Sequence, residues 1–248
     1  MNILFYRYNS ICEPAILRAF RQLNIHVIEI DVEMTNKKLE PSKCVELLSH
    51  EMDTHHPLFV FSVNFFPTIA EVCSIYQTPY LCWTVDSPVP ELFSKSITKA
   101  TNRIFLFDKA QYEYFHPFHP TGTFHLPLAS DVEHFDSVIA SITEEDYTKY
   151  KNDICFIGSL YSEKNPFHQL SLPEYEAGYV RGITEAALNV YGYNFIEETI
   201  TDDVICAIKK ADTNFFSLPD TVTCTPLYCL TSIYRRTSYR NGAHPHIK

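Results

Sequence analysis

Apolar and polar positions in the first 130 residues fall into short blocks whose period switches back and forth. Residues 3–7, 26–31, 58–63, 80–85, 102–108 and 123–128 are apolar, aromatic or β-branched runs of strand length. The stretches between several of them repeat at helical spacing. Ile16, Leu17, Phe20 and Leu23 share a face after Glu13-Pro14, and Ile69, Val72, Cys73 and Tyr76 share one after Pro67. Pro41-Ser42 opens a further helix to Met52, and a short one covers 109–115. Such alternation predicts stacked βαβ units, an α/β fold with a Rossmann-like parallel sheet. Right-handed crossovers gather the strand carboxyl ends on one edge. Arg7, Tyr8, Asn64, Asp86, Ser87 and Asp108 would all lie near that edge, where open α/β sheets bind ligands.

The run from Tyr80 to Val85 is bracketed by Pro79 and Pro88, holds the single Trp of the chain and stops at Asp86-Ser87. Asp and Ser are ordinary turn residues, so this is either a core strand with a capped turn or a strand that delivers a functional carboxylate.

After Leu128 the pattern changes. Residues 130–151 are polar and acidic and read as a connection, with a helix start at Thr143-Glu144-Glu145-Asp146. Residues 153–159 read as one more strand running into Gly158-Ser159. Helices are expected over 175–191, 202–211 and 224–239. The expected organisation is a Rossmann-like α/β domain over 1–140 and a mostly helical, incomplete second domain over 141–248. A lone strand at 153–158 raises a physical difficulty: it must join the first sheet, pair with another chain, or belong to a domain not all here. Self-association through this incomplete domain is therefore an expectation.

Composition narrows the function classes. The 248 residues are 46% hydrophobic and 20% charged, with a formal net charge of -10, which disfavours a nonspecific nucleic-acid or anionic-membrane binder. No run reaches the about 18 apolar residues that a membrane span needs. The amino terminus has no signal-peptide pattern, so a cytoplasmic protein is expected. Eight Cys lack C-x-x-C spacing, and eleven His form no zinc pattern; neither a disulfide framework nor a metal site is expected. The turn after the first strand, Arg-Tyr-Asn-Ser-Ile-Cys, has no Gly, which disfavours a dinucleotide fingerprint there. It also lacks the acidic cluster and phosphate loop of a response-regulator or flavodoxin-like domain.

Four segments occur in an order that resembles one family. They are Pro79 to Pro88 (PYLCWTVDSP), Ile104 to Asp108 (IFLFD), Leu126 to Ala129 (LPLA) and Asp153 to Tyr161 (DICFIGSLY). Over about residues 1–240 the chain resembles the CgeB-like proteins, predicted glycosyltransferases of the spore maturation type. The resemblance implies a GT-B architecture, two facing Rossmann-like domains, with the acceptor held mainly by the first and a nucleotide-diphosphate sugar donor mainly by the second. It implies no cofactor or metal beyond that donor substrate. Gly158, Ser159, Leu160 and Tyr161 would be the donor-side loop, or simply a strand-ending turn. The family continues with further βα units that carry most of the donor site, whereas this sequence stops at Lys248.

Glycosyl transfer needs a base for the acceptor and stabilisation of the leaving diphosphate. Asp86 is the first candidate base and Asp108 the second, and each could instead be a cap. Arg7 could contact a phosphate or serve in an ion pair. Trp83 could stack on a sugar or belong to the core. Tyr8, Asn64 and Ser87 complete the expected cleft edge. A non-catalytic binding module that lacks the donor half is the competing reading.

Overall fold

The computed structural model describes residues 2–36, 39–87, 89–155, 157, 171–190, 192–193 and 195–211. Six parallel strands form one sheet: β1 (Asn2–Tyr6), β2 (His26–Ile30), β3 (Val60–Val63), β4 (Tyr80–Thr84), β5 (Asn102–Leu106) and β6 (Thr123–His125). The order across the sheet is β2-β1-β3-β4-β5-β6, all parallel. This α/β, Rossmann-like sheet is doubly wound. Its order is the flavodoxin-like one of the two common doubly wound orders, and it reverses direction between β1 and β3, the place where such sheets bind ligands. Function does not follow from that order alone.

The connections explain the two faces. Helix α1 (Glu13–Gln22) joins β1 to β2; α2 (Val32–Thr35) and α3 (Pro41–His55) join β2 to β3; α4 (Pro67–Ile75) joins β3 to β4; α5 (Lys109–Phe115) joins β5 to β6. With right-handed crossovers, the reversal puts α1 on one face and α3, α4 and α5 on the other. The larger core follows: Leu4, Tyr6, Val60, Tyr80, Cys82, Ile104 and Leu106 of alternate strand positions pack with Leu48, Met52, Ile69, Cys73 and Phe115 of the helices. Opposite them, Phe5, Phe61 and Val63 pack with Leu17, and Ile16 and Phe20 lie against that cluster. Leu23, expected on the same helix face, is 68% exposed because α1 ends at Gln22.

The sheet belongs to a first compact unit that takes in residues 2–128 and 208–211, and a second unit takes in the described residues of 129–207. The segment expected as a connection is helical over most of its length: α6 (Val132–Ser141) and α7 (Glu144–Tyr150). The helix start read at Thr143 is a full capping box, in which the Thr143 hydroxyl accepts from Asp146 N and the Asp146 carboxylate accepts from Thr143 N. Further on come α8 (Glu174–Leu188), α9 (Ile196–Thr199) and α10 (Asp202–Ala211). The strand expected over 153–158 is not formed at Asp153, Ile154, Cys155 or Ile157. Ile154 and Ile157 are 93% and 94% exposed, and no strand among the described residues pairs with their backbone. Gly158, Ser159, Leu160 and Tyr161, and the helix expected over 224–239, lie outside the described residues. No helix among the described residues is long and apolar enough to cross a membrane.

Candidate functional site

The carboxyl ends of β1, β3 and β4 meet around one side chain, Asn64. Its backbone is left-handed (φ 59°), a conformation that Asn tolerates better than most residues. This turns the chain out of β3 while Asn64 N still continues the ladder to Trp83 O at 2.9 Å. The amide then reaches across three strand ends. Nδ2 donates to the Tyr8 hydroxyl at 2.8 Å and to Asp86 Oδ2 at 2.7 Å, and Oδ1 accepts from Val85 N at 2.9 Å. Those bonds also fix which amide atom is nitrogen, since Val85 N–H can face only an acceptor.

Beneath this hub the turn is pinned from within the core. The fully buried Tyr80 hydroxyl lies 2.6 Å from Ser62 Oγ and accepts from Phe66 N at 3.0 Å, and Ser62 donates to Asn64 O at 2.7 Å. Burial drives the Tyr80 phenol well above its ordinary range, so it stays a neutral structural hydroxyl.

The sequence-derived candidates separate into two groups. Tyr8, Asn64 and Asp86 are brought together. Asp86 is exposed, and its second oxygen meets no donor among the described residues. Asp108 is the N-cap of α5: Oδ1 accepts from Ala110 N at 2.8 Å, and Oδ2 accepts from the Ser87 hydroxyl. Ser87 and Asp108 thus tie the β4 and β5 turns to each other. Arg7 is enclosed by two carboxylates. Its Nε donates to Glu13 Oε2 at 3.1 Å, and a guanidinium N–H donates to Glu29. Glu13 is wholly buried and also accepts from Tyr8 N at 2.9 Å, so this group closes the β1–α1–β2 unit. Trp83 lies against the Phe5–Phe61 cluster and donates through Nε1 to Leu126 O at 3.1 Å, which is the core reading of that residue.

Three residues near the edge were missed by the sequence reading. Glu13 looked like a helix opener, and only its burial reveals it as Arg7's partner. Gln111 is fully buried and donates to Asp86 O at 3.0 Å. The spacing Asp108-x-x-Gln111 is a capping-box pattern that could have flagged it. Glu91, in the 3-10 turn Pro90–Phe93, sits at the surface, yet the surrounding protein and the Asp86 charge push its carboxyl above the usual carboxylate range. The Tyr8 phenol is pushed up to about 12, chiefly by burial and also by the Asp86 and Glu13 charges, against hydrogen bonds from Ser10 and Asn64. At neutral pH it is a hydroxyl donor, not a base.

No cluster of three or more His, Cys, Asp or Glu side chains that could hold a metal ion occurs among the described residues. No family model matches the chain, and no curated protein matches it.

Proposed function

We propose that this chain is the acceptor-side domain of a nucleotide-sugar-dependent, metal-independent glycosyltransferase of GT-B type, similar to the CgeB-like proteins, with Asp86 as the base. One observation supports this most: Asp86 stands at the open end of β4, beside the β1/β3 reversal, oriented through one oxygen by Asn64 and open at the other. A base must be oriented and still have a free lone pair toward the acceptor. In this reading Asp86 takes the proton of the acceptor hydroxyl, and Gly158 to Tyr161 would serve the donor. The protein acts in the cytoplasm, with a nucleotide-sugar and an acceptor as its small-molecule partners and no nucleic acid.

A second reading, a binding module without turnover, draws on a different observation. The cations flanking the strand ends are engaged, Arg7 with Glu13 and Glu29 and Lys109 with Glu113, so the first unit offers a leaving diphosphate little. Calorimetric titration with UDP and a panel of nucleotide-sugars, followed by product detection, separates the two. Turnover that disappears in Asp86→Asn supports the transferase; a folded protein that neither binds nor consumes any of them supports the module.

Self-association through the second unit is part of the proposal. It is motivated by the exposed apolar stripe of α6, where Val132, Phe135 and Ile139 are 62%, 54% and 64% exposed. Sedimentation at micromolar concentration tests it, and a monomer removes it.

A further inference from the structure

Asn64 holds two functional atoms at once. Both protons of its amide are used, one on the Tyr8 oxygen and one on Asp86 Oδ2, so the phenol and the carboxylate hang from a single nitrogen at 2.8 and 2.7 Å. What each has left is complementary. The Tyr8 oxygen accepts from Asn64 Nδ2; the Ser10 hydroxyl beside it can donate to the same oxygen, which leaves the phenol proton for a ligand. Asp86 Oδ1 is an acceptor with no donor there. A donor and an acceptor so close can both be met by one hydroxyl oxygen, which accepts one hydrogen bond and gives another. A carboxylate cannot do this, because it has no proton for Asp86, and a phosphate monoester, mostly dianionic at neutral pH, is a poor donor. Either would also face the Asp86 and Glu91 charges while Arg7 and Lys109 are already paired.

We infer that Tyr8 is a catalytic residue that acts together with Asp86, and that the pair grips one hydroxyl of an uncharged alcohol or polyol. The inference rests on the transferase reading for its chemistry but not for its binding claim. In the transfer step, the O–H proton passes to Asp86 while the acceptor oxygen forms its bond to the anomeric carbon of the donor sugar. The bond from that carbon to the diphosphate oxygen breaks, and its electron pair leaves with the nucleoside diphosphate. The Tyr8 proton stays on the phenol and stabilises the negative charge that grows on the acceptor oxygen. Asp86 then returns its proton to water.

The test uses the whole chain and four probes: methyl glucoside and myo-inositol as neutral polyols, glucuronate and glucose 6-phosphate as anions. Binding is read from NMR line shifts. The neutral probes should bind at least about tenfold more tightly than the anions, and Tyr8→Phe should weaken them by about tenfold, the loss of one hydrogen bond to an uncharged partner. Tyr8→Phe keeps the ring that packs on Phe66 at 5.4 Å. If it nevertheless fails to fold by circular dichroism, Asp86→Ala, at an exposed position, carries the same expectation. Anions binding as well as polyols, no polyol binding, or polyol affinity unchanged in the folded variant each overturn the inference. Polyol binding without consumption of any nucleotide-sugar would remove the transferase reading and leave the hydroxyl site. Consumption that Tyr8→Phe leaves untouched would do the reverse.

Discussion

Gly122 lies flat against the imidazole of His119: a methyl group placed on Gly122 would come within 1.8 Å of His119 Nε2 and 2.1 Å of Cδ2. The contact closes the turn that leads into β6. Gly122 N and Thr123 N both donate to His119 O, at 3.1 and 3.0 Å, and Gly122 O accepts from Ile104 N at 2.7 Å. The ring is not the loose end of a long side chain and cannot step aside without disturbing this turn. Gly122→Ala should therefore destabilise the first unit by ~1–3 kcal/mol, the usual cost of overpacking. Urea denaturation checks it, and an unchanged midpoint would mean that the turn yields freely.

The same ring makes stability depend on pH. His119 is buried, Nε2 has no hydrogen-bond partner among the described residues, and burial together with the Arg103 charge lowers its pKa below 6.5, while a bond to the Asn102 backbone opposes them. The unfolded chain takes up this proton near 6.5, and the folded chain only at lower pH. Between the two values the unfolded state binds more protons, so stability falls as pH falls. The contribution is complete above about 6.5 and lost once pH drops through the folded pKa. Urea midpoints for the wild type and His119→Asn should converge toward acid and diverge toward pH 8. Parallel curves would mean that His119 is not the titrating group.

Arg7 and Glu13 carry the third prediction. Glu13 is fully buried, and Arg7 is its cation. Removing one member of a buried pair leaves an uncompensated charge, so Arg7→Met should cost ~3–5 kcal/mol. The double variant Arg7→Met with Glu13→Gln should recover much of that loss, because no charge is then stranded. A double-mutant cycle by urea denaturation measures the coupling. Were the two losses additive, the pair would be a surface contact in energetic terms.

How much of this was legible in the sequence depends on range. The strands and most of the helices followed from period and from breakers such as Pro41, Pro67 and Pro79, which act over a few residues. Asp108 as a cap was readable as one of two alternatives, since capping is also local. The pairing of Ser87 with Asp108, and of Asn64 with Tyr8 and Asp86, joins residues from different strands, and only the strand order brings them together. Glu13 was opaque for the same reason: its polarity suggests surface, and burial is set by what packs over it. The strand expected at 153–158 shows the converse. Its composition fits a strand, but strand formation needs a neighbour that no local pattern supplies.

Asn64 itself allows backbone and side chain to be tested apart. Asn64→Gly removes the amide but suits φ 59°, whereas Asn64→Ala removes the amide and keeps a Cβ in a left-handed conformation. Gly should be the more stable of the two by ~1 kcal/mol. Both should release Tyr8 from Asp86 and abolish binding at the edge. Asn64→Asp preserves the acceptor for Val85 N but sets a second carboxylate where Nδ2 met Asp86 Oδ2 at 2.7 Å. Two carboxylates that close cannot both ionise freely, so one of the pair should titrate above the ordinary Asp value, and the pair should give two separated steps. Carbon-13 NMR of the carboxyl groups against pH reads this directly. Two unperturbed titrations would show that the edge opens enough to part the two groups, and the rigid hub at Asn64 would then be the wrong picture of this site.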